Sequence, residues 1–166
     1  MKTVQNYKDI FETLIWKINY NDNDFLRIFN ISLNDFNDII YEDNNASKKL
    51  MLKKIEVNLY NDWNWYYINK DELENYNLIL EISFKDYETN DWKIYLYWIE
   101  NCNINNNKLL LDIYYRFDYA KSLLDEYEFY EYENVLINLL VSKFYLYTMK
   151  EFNLWEYFYN KAKQSL

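Results

Sequence analysis

The chain contains no glycine and no proline anywhere in its 166 residues. Glycine is the residue that enters left-handed backbone at no steric cost, and proline is the one that fixes φ in advance. Chain reversals must therefore depend on asparagine and aspartate, which tolerate left-handed backbone and form local side-chain turns. Clusters of these two residues predict loops at 19–24, 42–45, 61–62, 88–91 and 101–107.

Composition predicts one globular domain over residues 1 to 166, because 51% of the residues are hydrophobic and no break in composition divides the chain. The 20 tyrosines and the many asparagines are typical of coding DNA that is rich in A and T. The number of tyrosines therefore indicates nothing about function, and only the positions of the rings in the sequence can do so.

The spacing of apolar residues predicts an α+β fold. It is helical from residue 5 to about 41, alternates from about 52 to 117, and is helical again from Asp118 onward. The alternating part predicts antiparallel strands at 78–84, 92–98 and 109–117, and a hairpin with a three-residue loop around Asn61 and Asp62. We expect N-terminal helices, a central antiparallel β-sheet of three to five strands, and C-terminal helices, of which the one at about 134–147 is buried.

The residues that are missing exclude most enzyme classes. There is no histidine, Cys102 is the only cysteine, and the phosphate-binding loops of nucleotide enzymes need glycine. We therefore expect a protein that is not an enzyme, with no cofactor and no metal site. A carboxylate-metal nuclease remains open as an alternative, with Glu81, Lys85, Asp112 and Arg116 on strand faces, although cross-strand ion pairs explain the same pattern.

The charge balance points to a basic partner. The chain has 18 basic and 27 acidic residues and a net charge of -9, which repels nucleic acid and anionic membranes and attracts a basic protein. The lone cysteine and the start MKTVQNYKDI, which has no apolar run, predict a cytoplasmic protein of a bacterial or phage-infected cell. The most apolar stretch, 135–149, carries Lys143 and is shorter than the ~20 residues that a bilayer requires.

The stretch DEYEFYEYE, residues 125 to 133, is the main candidate for the partner-binding site. If this stretch is a helix with 100° per residue, the rings of Phe129 and Tyr132 point away from the core and are surrounded by carboxylates. The predicted partner-binding residues are Asp125, Glu126, Glu128, Phe129, Tyr132 and Glu133. A structural alternative is that the acids favour the N-terminus of the next helix while the C-terminal helix covers the rings. A second candidate face on the sheet comprises Tyr95, Tyr97 and Tyr114.

Together these features predict a small, acidic, non-catalytic inhibitor that binds a basic, nucleic-acid-handling protein and presents carboxylates in place of phosphates. Two kinds of protein fit this description: immunity proteins that neutralise nuclease toxins, and phage anti-CRISPR or other anti-defence proteins. Besides the nuclease alternative, a single-strand nucleic-acid-binding module remains open, in which the sheet tyrosines would stack on bases.

Overall fold

Helices occupy both ends of the chain and antiparallel strands occupy its middle, so the predicted α+β class is confirmed. The computed structural model describes all residues except 18, 63–64, 74–77, 80–86, 90–92, 97–103 and 106–107. The described residues form two compact units, the first made of Met1–Leu50 with Phe117–Leu166 and the second of Met51–Arg116. The single domain over residues 1 to 166 stays a prediction.

The first unit begins with a short strand and three helices. They are β1 (Lys2–Thr3), α1 (Val4–Ile15), α2 (Asp22–Glu42) and α3 (Asn44–Leu50). Thr3 and Asn6 cap α1 reciprocally, since each side chain accepts a hydrogen bond from the other residue's backbone N–H, at 3.2 and 2.9 Å. The Asn21 side chain caps α2 by accepting from the N–H of Asp24 at 3.0 Å. Small polar side chains thus define the helix starts.

The second half of this unit supplies strand β10 (Glu126–Tyr127) and the helices α4 (Glu133–Phe144) and α5 (Phe152–Gln164), with a π-helical turn at Tyr145–Met149. The predicted burial of the helix at about 134–147 is confirmed for α4, whose Val135, Leu136 and Leu139 are fully buried. The core of the unit is largely aromatic, and its largest buried side chains are Tyr7, Phe11, Phe25, Phe29, Phe36 and Phe129.

Two asparagines of α2 hold the chain where it re-enters the first unit. The Asn37 side chain accepts from the N–H of Phe117 at 2.9 Å and donates to the carbonyl of the same residue at 3.2 Å. Asn30, two turns earlier, makes the same pair of bonds to Ala120, at 2.8 and 2.9 Å. Each side-chain amide therefore supplies the donor and the acceptor that a neighbouring strand would supply in a sheet, for a segment that has no regular secondary structure.

The second unit consists of two antiparallel sheets. In one, β2 (Leu52–Asn58) pairs with β9 (Lys108–Tyr115), and β5 (Leu78–Ile79) and β8 (Ile104–Asn105) also pair with β9. In the other the order is β3 (Tyr60–Asp62), β4 (Trp65–Asn69), β7 (Lys93–Leu96) and β6 (Tyr87–Thr89). Both sheets contribute to one core cluster, which consists of Ile55, Val57, Leu59, Ile68, Ile94, Leu109, Leu111 and Ile113.

The predicted alternation is confirmed on β9, but the predicted hairpin is wrong. Asn61 and Asp62 are not its turn, because they lie within β3, opposite Tyr66 and Trp65 of β4. The run that contains β2 pairs with β9 instead of with the strand that follows it. Asparagine and aspartate can occupy β3 because it is the end strand of its sheet, where polar residues also discourage edge-to-edge association.

We expect Asn37→Ala to lower the free energy of unfolding by about 1–3 kcal/mol, because it removes the acceptor of the part-buried N–H of Phe117. The measurement is urea denaturation followed by circular dichroism. Asn160→Ala on the exposed side of α5 is the matched control and should change stability by no more than about 0.5 kcal/mol. Equal stability of the two variants would show that Asn37 does not hold this segment.

Candidate functional site

The acidic segment, residues 125–133, is extended at its start, and the helix predicted from Asp118 onward is wrong. Residues 116–125 have no helix, and β10 pairs antiparallel with β1, so that Lys2 lies opposite Tyr127 and Thr3 opposite Glu126. The N–H of Val4 also donates to the carbonyl of Asp125 at 2.9 Å. The pairing is local to the first unit and joins the start of α1 to the acidic segment.

The two rings predicted to be exposed are buried. Phe129 is 1% exposed and Tyr132 is 7% exposed, so neither can serve as a surface anchor in this fold. The Phe129 ring lies 4.7 Å from that of Phe36 and 5.1 Å from that of Phe117, and it stacks on Tyr127 at 5.5 Å. Their burial agrees with the structural alternative, but the cover comes from several elements of the unit instead of the C-terminal helix alone.

Four of the five carboxylates in the segment have partners within the first unit. Glu133 forms an ion pair with Lys2 at 2.7 Å, and Glu131 forms one with Lys49. Glu128 lies 3.8 Å from the N-terminal ammonium group. Asp125 closes a turn, because it accepts hydrogen bonds from the backbone N–H groups of Lys121 and Ser122, and these bonds lower the pKa of its carboxyl.

Glu126, Glu128 and Tyr130 of the segment are exposed, as is Leu124 just before it, and we call these four residues the outer face. Leu124 is 80% exposed and Tyr130 is 63% exposed, so the face has an apolar residue at each end and carboxylates between them. Tyr130 also has a left-handed backbone, with φ at 49°. For a bulky residue this conformation is unfavourable, and such positions concentrate at functional sites.

Sequence reasoning missed Leu124 and Tyr130 although a signal for them was present. From residue 126 to residue 129 acidic and aromatic residues alternate, in the order Glu126, Tyr127, Glu128 and Phe129. Period two places successive side chains on opposite sides of an extended chain. A period of two places Tyr127 and Phe129 on the buried side and Tyr130 on the exposed side.

The second candidate face is divided between the two sheets of the second unit. Tyr95 lies on β7 opposite Tyr67, and its ring is 5.7 Å from the Tyr67 ring, which in turn stacks on Tyr60 at 5.4 Å. Lys93 lies over Tyr67 at 4.3 Å. Tyr114 belongs to β9 of the other sheet, and Tyr97 lies outside the described residues. The structure therefore does not bring Tyr95 and Tyr114 together on one sheet.

The residues of the nuclease alternative are only partly described. Asp112 is exposed on β9 and lies opposite Lys54 of β2, an arrangement that suits a cross-strand pair of opposite charges. Glu81 and Lys85 fall outside the described residues. Within the part of the chain that the structure describes, no three acidic or cysteine side chains are grouped so that they could hold a metal ion. None of the helices there is both long and apolar enough to cross a bilayer.

We expect Phe129→Ala to lower the free energy of unfolding by about 3–5 kcal/mol, because it removes a ring from the centre of an aromatic core. Tyr130→Ala is the matched control and should change stability by about 0.5 kcal/mol or less. Equilibrium unfolding in urea gives both values. A small effect at Phe129 and a large one at Tyr130 would contradict the assignment of the buried and exposed sides.

The burial of Tyr127 predicts a loss of stability at high pH. Burial raises the pKa of the Tyr127 phenol to about 12, and its hydroxyl donates to the carbonyl of Asp118 at 2.6 Å. The unfolded chain releases this proton near pH ~10, whereas the folded chain retains it until about pH 12. This contribution is therefore complete below pH ~10 and is lost as the pH rises from there toward 12, by up to about 2–3 kcal/mol.

The test is to measure the free energy of unfolding between pH ~9 and ~11.5. Tyr127→Phe should show a shallower fall than the natural chain, while Tyr157→Phe, an exposed tyrosine on α5, should not. Parallel curves for all three proteins would show that Tyr127 is not held protonated by the fold.

No known protein family, curated protein or solved structure matches this chain.

Proposed function

We propose that this protein is a small, acidic, non-catalytic inhibitor that binds and neutralises a basic, nucleic-acid-handling protein. The partner would be a nuclease toxin, which would make it an immunity protein, or a CRISPR or other defence effector, which would make it an anti-CRISPR or anti-defence protein. The observation that carries the proposal is the outer face, where Leu124 and Tyr130 are exposed on either side of Glu126 and Glu128.

The outer face combines the two properties that a binder of a basic protein needs. Exposed apolar groups such as Leu124 and the Tyr130 ring lose water on association and supply affinity. The carboxylates beside them favour a cationic surface and set its orientation. Tyr130 replaces Phe129 and Tyr132 as the expected aromatic anchor, while Glu126 and Glu128 keep the role predicted for them.

The ion pairs already present do not prevent this role. Lys49 and Glu131 are both more than half exposed, and exposed ion pairs contribute at most about 1 kcal/mol. The N-terminal ammonium lies at 3.8 Å from Glu128, a contact that solvent also screens. A partner's lysine or arginine can therefore replace either cation at low cost.

The charge of the whole chain supports the same class of partner. With a net charge of -9, the field around the protein accelerates encounters with a cationic groove of the kind that binds nucleic acid. The second unit is also acidic, since residues 51–116 carry seven basic and eleven acidic residues. Direct binding of phosphate backbones is disfavoured for the same reason.

One observation favours a second candidate, a single-strand nucleic-acid-binding module. The rings of Tyr60, Tyr67 and Tyr95 form a ladder across three strands, and Lys93 covers the middle ring. Aromatic ladders on sheets are surfaces on which bases stack. The acidic excess of residues 51–116 opposes this function, so it ranks below the inhibitor.

The test is surface plasmon resonance with purified basic nuclease toxins and CRISPR effectors as the immobilised partners. Association with the true target should slow as salt rises beyond ~0.1 M, where the screening length is ~10 Å. Glu126→Lys with Glu128→Lys should lower the association rate about tenfold or more and reduce its salt dependence. Tyr130→Ala should mainly raise the dissociation rate, by about 1–2 kcal/mol of binding free energy.

Two matched controls lie on α5, away from the outer face in sequence. Glu156→Lys repeats a charge reversal at an exposed site, and Tyr157→Ala removes an equally exposed tyrosine, and neither should change binding. Unchanged target affinity in all outer-face variants would refute the proposed site. Binding of a single-stranded oligonucleotide that Tyr67→Ala abolishes would support the second candidate instead.

A further inference from the structure

Trp16 is the most conspicuous residue of the first unit that the proposed function does not use. It follows the last residue of α1, and its side chain is 94% exposed. Its backbone is left-handed, with φ at 57° and ψ at 31°, and its N–H donates to the carbonyl of Glu12. A large aromatic ring thus stands fully in water at a position that disfavours bulky side chains.

Neither local structure nor mutational bias accounts for a tryptophan there. The left-handed residue that ends a helix is usually glycine and sometimes asparagine, and three residues after Trp16 the left-handed backbone is taken by an asparagine, Asn19, where φ is 59°. Coding DNA rich in A and T favours asparagine and works against tryptophan, whose single codon is rich in guanine. The ring is therefore present for its own contacts, and strained, exposed positions of this kind concentrate at functional sites.

A surface depression beside the indole is lined by Asp9, Glu12, Thr13 and Trp16. Glu12 is held in place, because it forms an ion pair with Lys8 at 3.1 Å and accepts from the N–H of Tyr20 at 2.8 Å. The exposed Asp9 accepts from the Gln5 side chain at 2.8 Å. The depression thus has an aromatic wall and two carboxylates.

The two lysines nearest in sequence, Lys8 and Lys17, already have partners. Lys8 is buried and also pairs with Asp22 at 2.8 Å. Lys17 lies with its ammonium group 5.4 Å from the centre of the Tyr20 ring. Since Lys8 balances Glu12, the carboxylate with the least compensation among the lining residues is that of Asp9.

We propose that this depression binds an arginine side chain presented by the partner protein. The apolar part of arginine and its planar guanidinium pack against an indole face, where the cation is attracted to the ring. The guanidinium also donates two parallel hydrogen bonds to a carboxylate, here that of Asp9. Lysine offers a more strongly hydrated point charge without this planar fork, and an uncharged apolar side chain leaves Asp9 unpaired, so arginine fits best.

This inference deepens the proposed function, on which it rests for the identity of the partner as a basic protein. Along the axis of α1, Asp9 and Trp16 lie about 8 Å and 18 Å from the end of the helix that starts beside β10, so the depression is separate from the outer face. Two contact points on one unit would fix a partner's orientation as well as its affinity.

The experiment uses the full chain and three short synthetic peptides. One carries two arginines between glycines, and in the others citrulline or lysine replaces both arginines. Binding is followed by the indole N–H resonance of Trp16 in nitrogen-15 NMR spectra, which is assigned by its loss in Trp16→Phe. The arginine peptide should shift this resonance in a saturable way, the lysine peptide should bind more weakly, and the citrulline peptide should have no effect.

Asp9→Asn should weaken the arginine peptide about tenfold, whereas Glu156→Gln on α5, a matched exposed carboxylate, should not. No shift at Trp16, an equal effect of citrulline or lysine, or full affinity in Asp9→Asn would each overturn the assignment. The peptide should bind equally well to the Glu126→Lys, Glu128→Lys variant. This result separates the two proposals, because the peptide tests the depression at Trp16 alone, whereas the binding of basic target proteins tests the outer face.

Discussion

The burial of Phe129 among rings from both halves of the first unit is the interaction on which the rest of that unit depends. Its ring contacts those of Tyr7, Phe36, Phe117 and Tyr127, which come from α1, α2 and the segment around it. Residues 117–132 can follow this path only because Asn30 and Asn37 supply hydrogen bonds to backbone that lacks a strand partner. With its rings inside, the segment must turn its carboxylates outward, and the acidic surface is a consequence of the aromatic core.

This coupling explains why the sequence predicts the wrong buried and exposed sides for the segment, whose role in partner binding stays a prediction. The α+β class, the buried α4 and the alternation along β9 follow from periodicity over eight residues or more, where burial on one side dominates. The segment at 125–133 is too short to fix a period by itself. The helical spacing predicted from Asp118 onward continues through it, and on that helix Tyr130 falls on the core side and Phe129 on the exposed side, the reverse of what the structure shows.

The prediction of a hairpin around Asn61 and Asp62 is wrong for a different reason. The sequence predicts a turn at Asn61 and Asp62 because no glycine or proline marks one, but in this chain asparagine and aspartate also occupy strands, as they do in β3. The pairing of β2 with β9 spans about fifty residues and has no local signature at all. Only the shared core cluster, with Ile55 and Leu111 as members, selects it over the nearer partner.

The absence of glycine also makes the left-handed positions informative. In the described part of the chain they are Trp16, Asn19, Tyr130 and Lys150. Asn19 is what steric preference would select, but two of the others carry large aromatic rings that are mostly exposed. Asparagine is the residue that steric preference favours at both sites, and neither site carries it. Tyr130 belongs to the outer face with Glu126 and Glu128, and Trp16 lines the depression that contains Asp9. An exposed ring with acidic neighbours, at two separate points where local preference favours another residue, is the arrangement on which the proposed recognition of a cationic protein surface depends.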